Sequence, residues 1–372
     1  MGVARGIGII GTGDIAAKYI NSIGNVEALA LVACASHDSA RADVAGAKFG
    51  IEPLTIAELV ADPRIEIVVN LTAPANHAAV TAAALAAGKH VYSEKPLAMT
   101  GAAADELIAG GGGIIACAPA TPLGPSCQTA RALIAAGTIG AVVGGSAMLV
   151  YPGPEMFHTN PAALYRAGAG PLYDMAVYDL AVLHQILGPI ERAAATRRTT
   201  HAERSALHGP DAGSLFDVEV PTHYAALIEF ASGPVVTMTT SFDAFGPPKA
   251  WIDLYGTRGA LRLERASAFS GEILLSTELG RWQTKVPTVL GWSDDLWIIG
   301  LLDLLEAIDS GTEPRCSAAA ARHALAALEA IDDAAAFHSF IDVGHACPSA
   351  PPLEPDHYQT LRQRYRVGRN AS

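Results

Sequence analysis

Positive charge is in short supply: 25 Lys and Arg stand against 37 Asp and Glu, a formal charge of −12 over 372 residues. Nucleic acids and anionic membrane surfaces reward clustered basic side chains. The nearest thing to a cluster is "RQRYR" at 362–366, so neither kind of partner is expected. Cysteine is also scarce. Cys34, Cys117, Cys127, Cys316 and Cys347 are scattered and odd in number, which fits neither a disulfide framework nor zinc-ligand spacing. A reducing, cytoplasmic setting is expected, with Cys34 and Cys117 acting as small buried hydrophobes in strand-like runs. No group of His, Cys, Asp and Glu has the spacing of a metal site, and no Gly-x-Ser-x-Gly elbow occurs. Long apolar runs are missing as well. The longest uncharged stretch, 67–88, is interrupted by Asn70, Pro74, Asn76 and His77, so it reads as strand, loop and alanine-rich helix rather than a bilayer span. The opening "MGVARGIGII" has no separate apolar core or small-residue cleavage site, and export is not expected.

What is present is a chain half of whose residues are hydrophobic, long enough for two cores. Up to residue 122 the apolar runs "GIGIIG", "ALALVACAS", "IEIVVNLT", "HVYSE" and "GIIACAP" alternate with helical segments at 14–24, 38–48, 76–87 and 100–109. That alternation predicts a parallel sheet covered on both faces, a Rossmann dinucleotide-binding domain over 1–122. From 123 to 342 the texture changes. Helices near 125–137 and 174–187 flank "AVVGGSAMLVYPG", and "THYAALIEF", "PVVTMTTSF", "AWIDLYG" and "ALRLE" are joined by the hairpin-like "ASG" and "TRG". This predicts an α+β domain with a largely antiparallel open sheet, closed by helices near 295–309 and 317–336. The proline-rich "ACPSAPPLEP" marks an extended tail over 343–372.

In "GIGIIGTGDIAAKYINSIG" two glycines follow the first strand and open its helix. Gly11 suits the tight turn, Gly13 lets a pyrophosphate approach the backbone, and Ala16 lets the helix lie close to the strand. Thr12, Asp14 and Ile15 complete that turn as cofactor-binding candidates. The second strand ends "ACASHDSAR", where an enzyme for NAD carries an acid that binds the ribose. Ser36 stands there instead. A serine can hydrogen-bond a 2′-phosphate that a carboxylate would repel, and His37 can lie beside it, which favours NADP over NAD.

"HVYSEKPLAMT" places Glu94, Lys95 and Pro96 directly after an apolar strand, at the sheet edge where ligands bind. Pro96 restricts the residue before it to extended geometry, so Lys95 can be aimed into the crevice. With the glycine turn, the block "NLTAPANHAAVTAAALAAGKHVYSEKPLA", "CAPATPLGPSCQTARALI" and "AGPLYDMAVYDLAVLHQILG", the chain resembles the family of glucose-fructose oxidoreductase, inositol dehydrogenase and rhizopine catabolism proteins, Gfo/Idh/MocA. The likeness runs from Ile7 to about residue 340. It implies a Rossmann domain that binds nicotinamide and a C-terminal domain that supplies substrate contacts and often a subunit interface. Lys95 matches the lysine near nicotinamide and substrate; Asp174 and Tyr178 match a helical pair that faces them. Four residues apart, that pair shares a helix face. Members commonly have histidine where this chain has Tyr178. A tyrosine, with an ordinary pKa of about 10, needs a neighbour such as the Lys95 ammonium to act as a base near neutrality.

Thr72, Ala73, Pro74, Asn76 and His77 are expected to border the cofactor, together with Glu94, Lys95 and Pro96. His158, in "PEMFHTNP", is a candidate for a sugar hydroxyl alongside Lys95, Asp174 and Tyr178. His184 lies on another helix face and reads as packing. The expected activity is an NAD(P)-dependent interconversion of secondary alcohol and ketone on a sugar, glycoside, cyclitol or related polyol, with no metal. The resemblance leaves three alternatives: a glycosidase that oxidises transiently and eliminates, a dinucleotide-binding regulator without chemistry, and a reductase for a small carbonyl compound or a biliverdin-like pigment. A homodimer or homotetramer is expected, joined through the open sheet.

Overall fold

The computed structural model describes residues 4–282, 284–286 and 296–368. Strands and helices alternate at first: β1 (Arg5–Ile10), α1 (Ala16–Gly24), β2 (Leu29–Ala35), α2 (Ser39–Phe49), β3 (Glu52–Leu54), α3 (Ile56–Ala61), β4 (Ile67–Asn70), α4 (Pro74–Ala86), β5 (His90–Ser93), α5 (Gly101–Gly110) and β6 (Ile115–Cys117). The six strands form one parallel sheet in the order β3-β2-β1-β4-β5-β6. Ile7, Ile9, Ile10, Val68, Val69 and Val91 are fully buried, as a sheet with helices on both faces requires. The strand order reverses between β1 and β4. The carboxyl edge at such a reversal is the ligand position of a doubly wound sheet.

The chain continues through α6 (Pro125–Ala135), β7 (Val142–Val150), a π-helical turn Pro171–Ala176 that runs into α7 (Val177–Leu187), β8 (Ile190–Arg198), β9 (Glu203–Ser205), β10 (Leu215–Asp217), β11 (His223–Phe230), β12 (Val235–Ser241), β13 (Lys249–Gly256), β14 (Ala260–Glu264), β15 (Ile273–Ser276) and β16 (Thr284–Val286). Then come α8 (Ile299–Ser310), α9 (Ala318–Phe337), β17 (Ile341–Asp342) and α10 (His357–Tyr365). Nine of these strands build a second sheet, ordered β16-β15-β14-β13-β7-β12-β11-β8-β17. Only the β7–β12 pair is parallel; the other neighbours run antiparallel. Along β11 the alternation is strict. Tyr224, Ala226, Ile228 and Phe230 are buried in a core shared with α6, α7 and α9, whereas His223, Ala225, Leu227 and Glu229 lie on the open face.

Two compact units result. Of the described residues, the first contains 4–125, 296–322 and 353–368, and the second contains 126–282, 284–286 and 323–352. The helix that the sequence assigns to the second domain near 295–309 therefore belongs to the first. Its close approach depends on Gly300, where a Cβ would come within 2.6 Å of the Tyr92 ring. The segment read as an extended tail carries α10, whose Tyr358, Leu361 and Tyr365 are buried, and Tyr365 donates a hydrogen bond to Asp309 at 2.9 Å. Periodicity announces an apolar helix face but not which core will take it.

Among the described residues no helix is long and apolar enough to cross a membrane, and no group of three or more His, Cys, Asp or Glu could hold a metal ion. All five cysteines are buried.

Candidate functional site

In the first unit the glycine turn sits between β1 and α1. Gly11 has φ +104°, and a side chain there would lie 2.4 Å from the Leu71 carbonyl oxygen, so only glycine fits. Its N–H donates to Ala35 O at 2.8 Å, which ties the turn to the end of β2. At Gly13 nothing lies within 4 Å of where a Cβ would be, and the space above the turn is open. Helix α1 starts without a side-chain cap from Ile15 and without an acid in its first turn, so no carboxylate opposes an anion at its positive end; Ala16 and Lys18 N–H donate to Gly13 O and Ile15 O at 3.0 and 3.1 Å. The Thr12 hydroxyl is buried without a partner among the described residues, and Asp14 is exposed. The residues present therefore fit a dinucleotide pyrophosphate.

At the end of β2, Ser36 is half-buried and His37 is exposed. The carboxylate of Asp38, the nearest acid, accepts Ala40 N–H at 3.0 Å and caps α2. It is thereby committed to the helix. Arg41 stands exposed in the next turn.

After β4 the loop is organised by Asn70, which is fully buried. Its amide donates to His77 O at 3.0 Å and to Thr81 at 3.1 Å, and its oxygen accepts the Thr72 hydroxyl at 2.7 Å. Ala73 and Pro74 are exposed and Asn76 is half-buried. His77 has its ring buried, with Nδ1 2.6 Å from Pro96 O and Nε2 2.8 Å from Thr72 O. Its one N–H donates to one of these main-chain carbonyls, and the ring packs between the two loops that carry them.

Glu94 is likewise occupied. Tyr19 OH donates to its Oε1 at 2.8 Å and Lys95 N–H to its Oε2 at 3.1 Å, and the carboxylate is buried. Lys95 is half-buried, and the Lys95–Pro96 peptide is cis.

In the second unit Asp174 lies in the π-helical turn and Tyr178 in the first turn of α7, both half-buried. The expected regular helix from 174 is thus widened before Val177. Such turns recur at functional sites because they re-aim side chains within a helix. Asp179 follows, fully buried, with Oδ2 unpartnered among the described residues. Burial pushes its carboxyl up to about 7. His158 is half-buried in a loop and accepts Asn160 N–H at 3.0 Å. That loop is anchored by Arg204, which donates to Glu155 Oε1 at 2.5 Å, to Pro152 O at 3.0 Å, to Phe242 O at 3.1 Å and to Asp243. Tyr165 closes the cluster by donating to Glu155 Oε2 at 2.5 Å. His184 is packed in the interior with Nε2 2.7 Å from Cys347 O.

Sequence reasoning missed Tyr19, Asp179 and Arg204. An acid inside the apolar "AVYDLAVL" was the one available signal, since buried acids demand an explanation. Nothing local marks Tyr19 or Arg204.

A doubly wound sheet with this turn, joined to a mixed, mostly antiparallel sheet, defines a two-domain dinucleotide-binding protein. Residues 5–110 match the oxidoreductase family with an NAD-binding Rossmann fold, and 127–262 match the GFO/IDH/MocA C-terminal domain. The chain belongs to the GFO/IDH/MocA oxidoreductase family. Uncharacterized oxidoreductase ORF334 of Rhizobium meliloti is 31% identical over 265 residues, 69% of this chain and 73% of that protein. The 1,5-anhydro-D-fructose reductase of Ensifer adhaerens is 29% identical over 266 residues, 68% of this chain and 74% of the reductase. Levoglucosan dehydrogenase, solved in complex with NADH, shares the fold with a TM-score of 0.79 at 22% identity, over 92% of this chain and 100% of that one.

Proposed function

We propose that this protein is an NAD(P)-dependent oxidoreductase that interconverts a secondary alcohol and a ketone on a sugar, glycoside, cyclitol or related polyol. The reading rests on a pyrophosphate-fitting turn in the same sheet as Glu94-Lys95-Pro96, within a family whose relatives include an anhydrosugar reductase. Nicotinamide, when bound, supplies or accepts the hydride. The protein's own groups handle the proton and the oxygen. Tyr178 exchanges the hydroxyl proton, the Lys95 ammonium holds the reacting oxygen and eases that transfer, and Asp174 orients a neighbouring hydroxyl. His158 contributes a further sugar contact from its anchored loop. The test is a screen of sugars and cyclitols with both dinucleotides, read by the absorbance of reduced nicotinamide. Dinucleotide binding with no turnover on any of them would replace this reading with that of a regulator.

Of the two cofactors, NADP is favoured. Ser36 is uncharged, and the one carboxylate of the turn, Asp38, is used as a helix cap, so a 2′-phosphate meets serine, His37 and Arg41 rather than an acid. NADPH is expected to bind more tightly than NADH, and Ser36→Asp to move the affinity ratio toward NADH by about tenfold or more. Fluorescence titration of both cofactors decides it, and equal affinities in the parent protein would dismiss the argument. The five scattered, buried cysteines suit a reducing, cytoplasmic setting.

The open face of the second sheet supports a homodimer or homotetramer. Ala225 and Leu227 lie beside Thr239 and Thr237 across the β11–β12 ladder, and Val235 and Tyr255 are exposed on neighbouring strands. Light scattering at micromolar concentration is expected to report at least a dimer, dissociated by Leu227→Arg. A monomeric parent protein would leave this face as ordinary solvent-exposed sheet.

A further inference from the structure

Two straps converge on the main chain around Lys95, and both originate outside the Glu-Lys-Pro motif. On one side Tyr19 OH donates to Glu94 Oε1 at 2.8 Å, and the other oxygen of that carboxylate accepts the Lys95 N–H at 3.1 Å. On the other side the ring of His77 lies between Thr72 O and Pro96 O, at 2.8 and 2.6 Å, and its N–H donates to one of these carbonyls. Tyr19 is 1% exposed and belongs to α1, the helix that opens at the glycine turn. Burial, then the Glu94 charge, pushes its phenol well above the ordinary value, so it is present as a donor. Its ring meets Tyr92 in a tilted contact and Trp297 edge to face, each 5.8 Å away between centroids, and Trp297 also carries the Lys18 ammonium at 4.6 Å. That packing holds the Tyr19 hydroxyl within reach of Glu94, with the Tyr92 hydroxyl as its other neighbour.

A buried carboxylate retains its place only where donors satisfy it. With Tyr19 in position, Glu94 can hold the Lys95 main chain in one geometry. The need is specific to lysine, because an ammonium on a flexible four-carbon stem is aimed only as well as its root is fixed. Small misplacements of a group that acts on a reacting oxygen are costly.

We infer that Tyr19 is a positioning residue for Lys95, acting through the Glu94 carboxylate, while His77 holds the far side of the same turn. The inference rests on the role of Lys95 given above. It also makes α1 a shared support, carrying the dinucleotide turn at one end and the Lys95 anchor one turn further on.

A double-mutant cycle with Tyr19→Phe and Lys95→Met tests it, since the phenylalanine keeps the ring and removes only the donor. Tyr19→Phe is expected to lower kcat about tenfold while the dinucleotide Kd stays within about twofold. The double variant is expected to be no slower than Lys95→Met alone, because a residue that acts through another loses its effect when the other is gone. Losses that multiply overturn the inference, as does a lowered unfolding temperature with kcat unchanged, which would make the bond purely structural. Weaker dinucleotide binding at unchanged kcat overturns it in favour of an effect on the glycine turn. Full turnover in Lys95→Met removes the parent reading instead, a result separate from any behaviour of Tyr19→Phe. A readout without turnover is the acetylation rate of Lys95 by acetic anhydride, measured by peptide mass spectrometry against Lys48. Tyr19→Phe is expected to change it about threefold or more at Lys95 and leave Lys48 unaltered; no change at Lys95 counts against the inference. If Tyr19→Phe does not fold, Glu94→Gln, whose amide keeps one acceptor oxygen in place of two for Tyr19 OH and Lys95 N–H, runs the same cycle with the same outcomes.

Discussion

Tyr178→Phe is expected to lower turnover by about a hundredfold or more while dinucleotide affinity and folding persist. The ring of Tyr178 packs against the core of the second unit, and phenylalanine preserves that packing. Only the ionisable oxygen is lost. Lys95→Met is expected to cost a comparable factor, since the half-buried lysine has its place on the main-chain turn rather than in the core, and in the proposed reaction its ammonium stabilises negative charge on the reacting oxygen. The two losses are expected not to add, because the proposed reaction has both residues act on one proton transfer. Steady-state kinetics of the single and double variants, with dinucleotide titration as the control, measure all three quantities. Full activity in Tyr178→Phe would transfer the proton to Lys95 or His158.

Asp179→Asn is expected to raise stability, and to do so only away from acid. In the native protein burial lifts the Asp179 carboxyl from the ordinary 3.8 to about 7, a rise that corresponds to about 4 kcal/mol at most. Below about pH 4 the group is protonated in folded and unfolded chains alike, and it costs nothing. Between there and 7 the unfolded chain ionises first, so its contribution to stability falls as pH rises. Above 7 the penalty is complete and constant. Thermal or urea unfolding of parent and variant at pH 5 and pH 8 checks the difference, with the larger gain expected at pH 8. Identical pH dependence in the two proteins would mean that the carboxylate finds a partner when charged. The location lends the result functional weight: Asp179 directly follows Tyr178 on α7. Retaining the acid there at a cost in stability is the kind of compromise that functional sites make.

Much of the first sheet was legible in the residue order. Buried parallel strands read as apolar runs, and β1, β2, β4, β5 and β6 fall on the runs identified as strands, because both faces of such a sheet are covered and the pattern is local. The glycine turn was equally local. A backbone that must take φ +104° beneath a neighbouring carbonyl leaves one residue type, and Gly11 is that residue. The "ASG" and "TRG" connections close the β11–β12 and β13–β14 hairpins for the same reason: turn chemistry acts over a few residues.

What depended on distant parts of the chain could not be read that way. The partner of Tyr19 is 75 positions away, that of Arg204 Nη1 is 49 away at Glu155, and His77 looks like the start of a cofactor helix until the Pro96 carbonyl is seen against its ring. Hydrogen bonds are short-ranged and directional, so their partners exist only once the sheet order is set. The same holds for α8 and α10, whose apolar faces say that they must be buried but not that the first unit buries them. The sequence by itself determined the alternating strands of the first sheet, the β11–β12 and β13–β14 hairpins and the dinucleotide turn, since each is encoded by backbone conformation or periodicity within a few residues. Tertiary structure alone decided which groups surround the Lys95 main chain and which acid is desolvated, because positioning and desolvation arise from groups that meet only after the chain has folded.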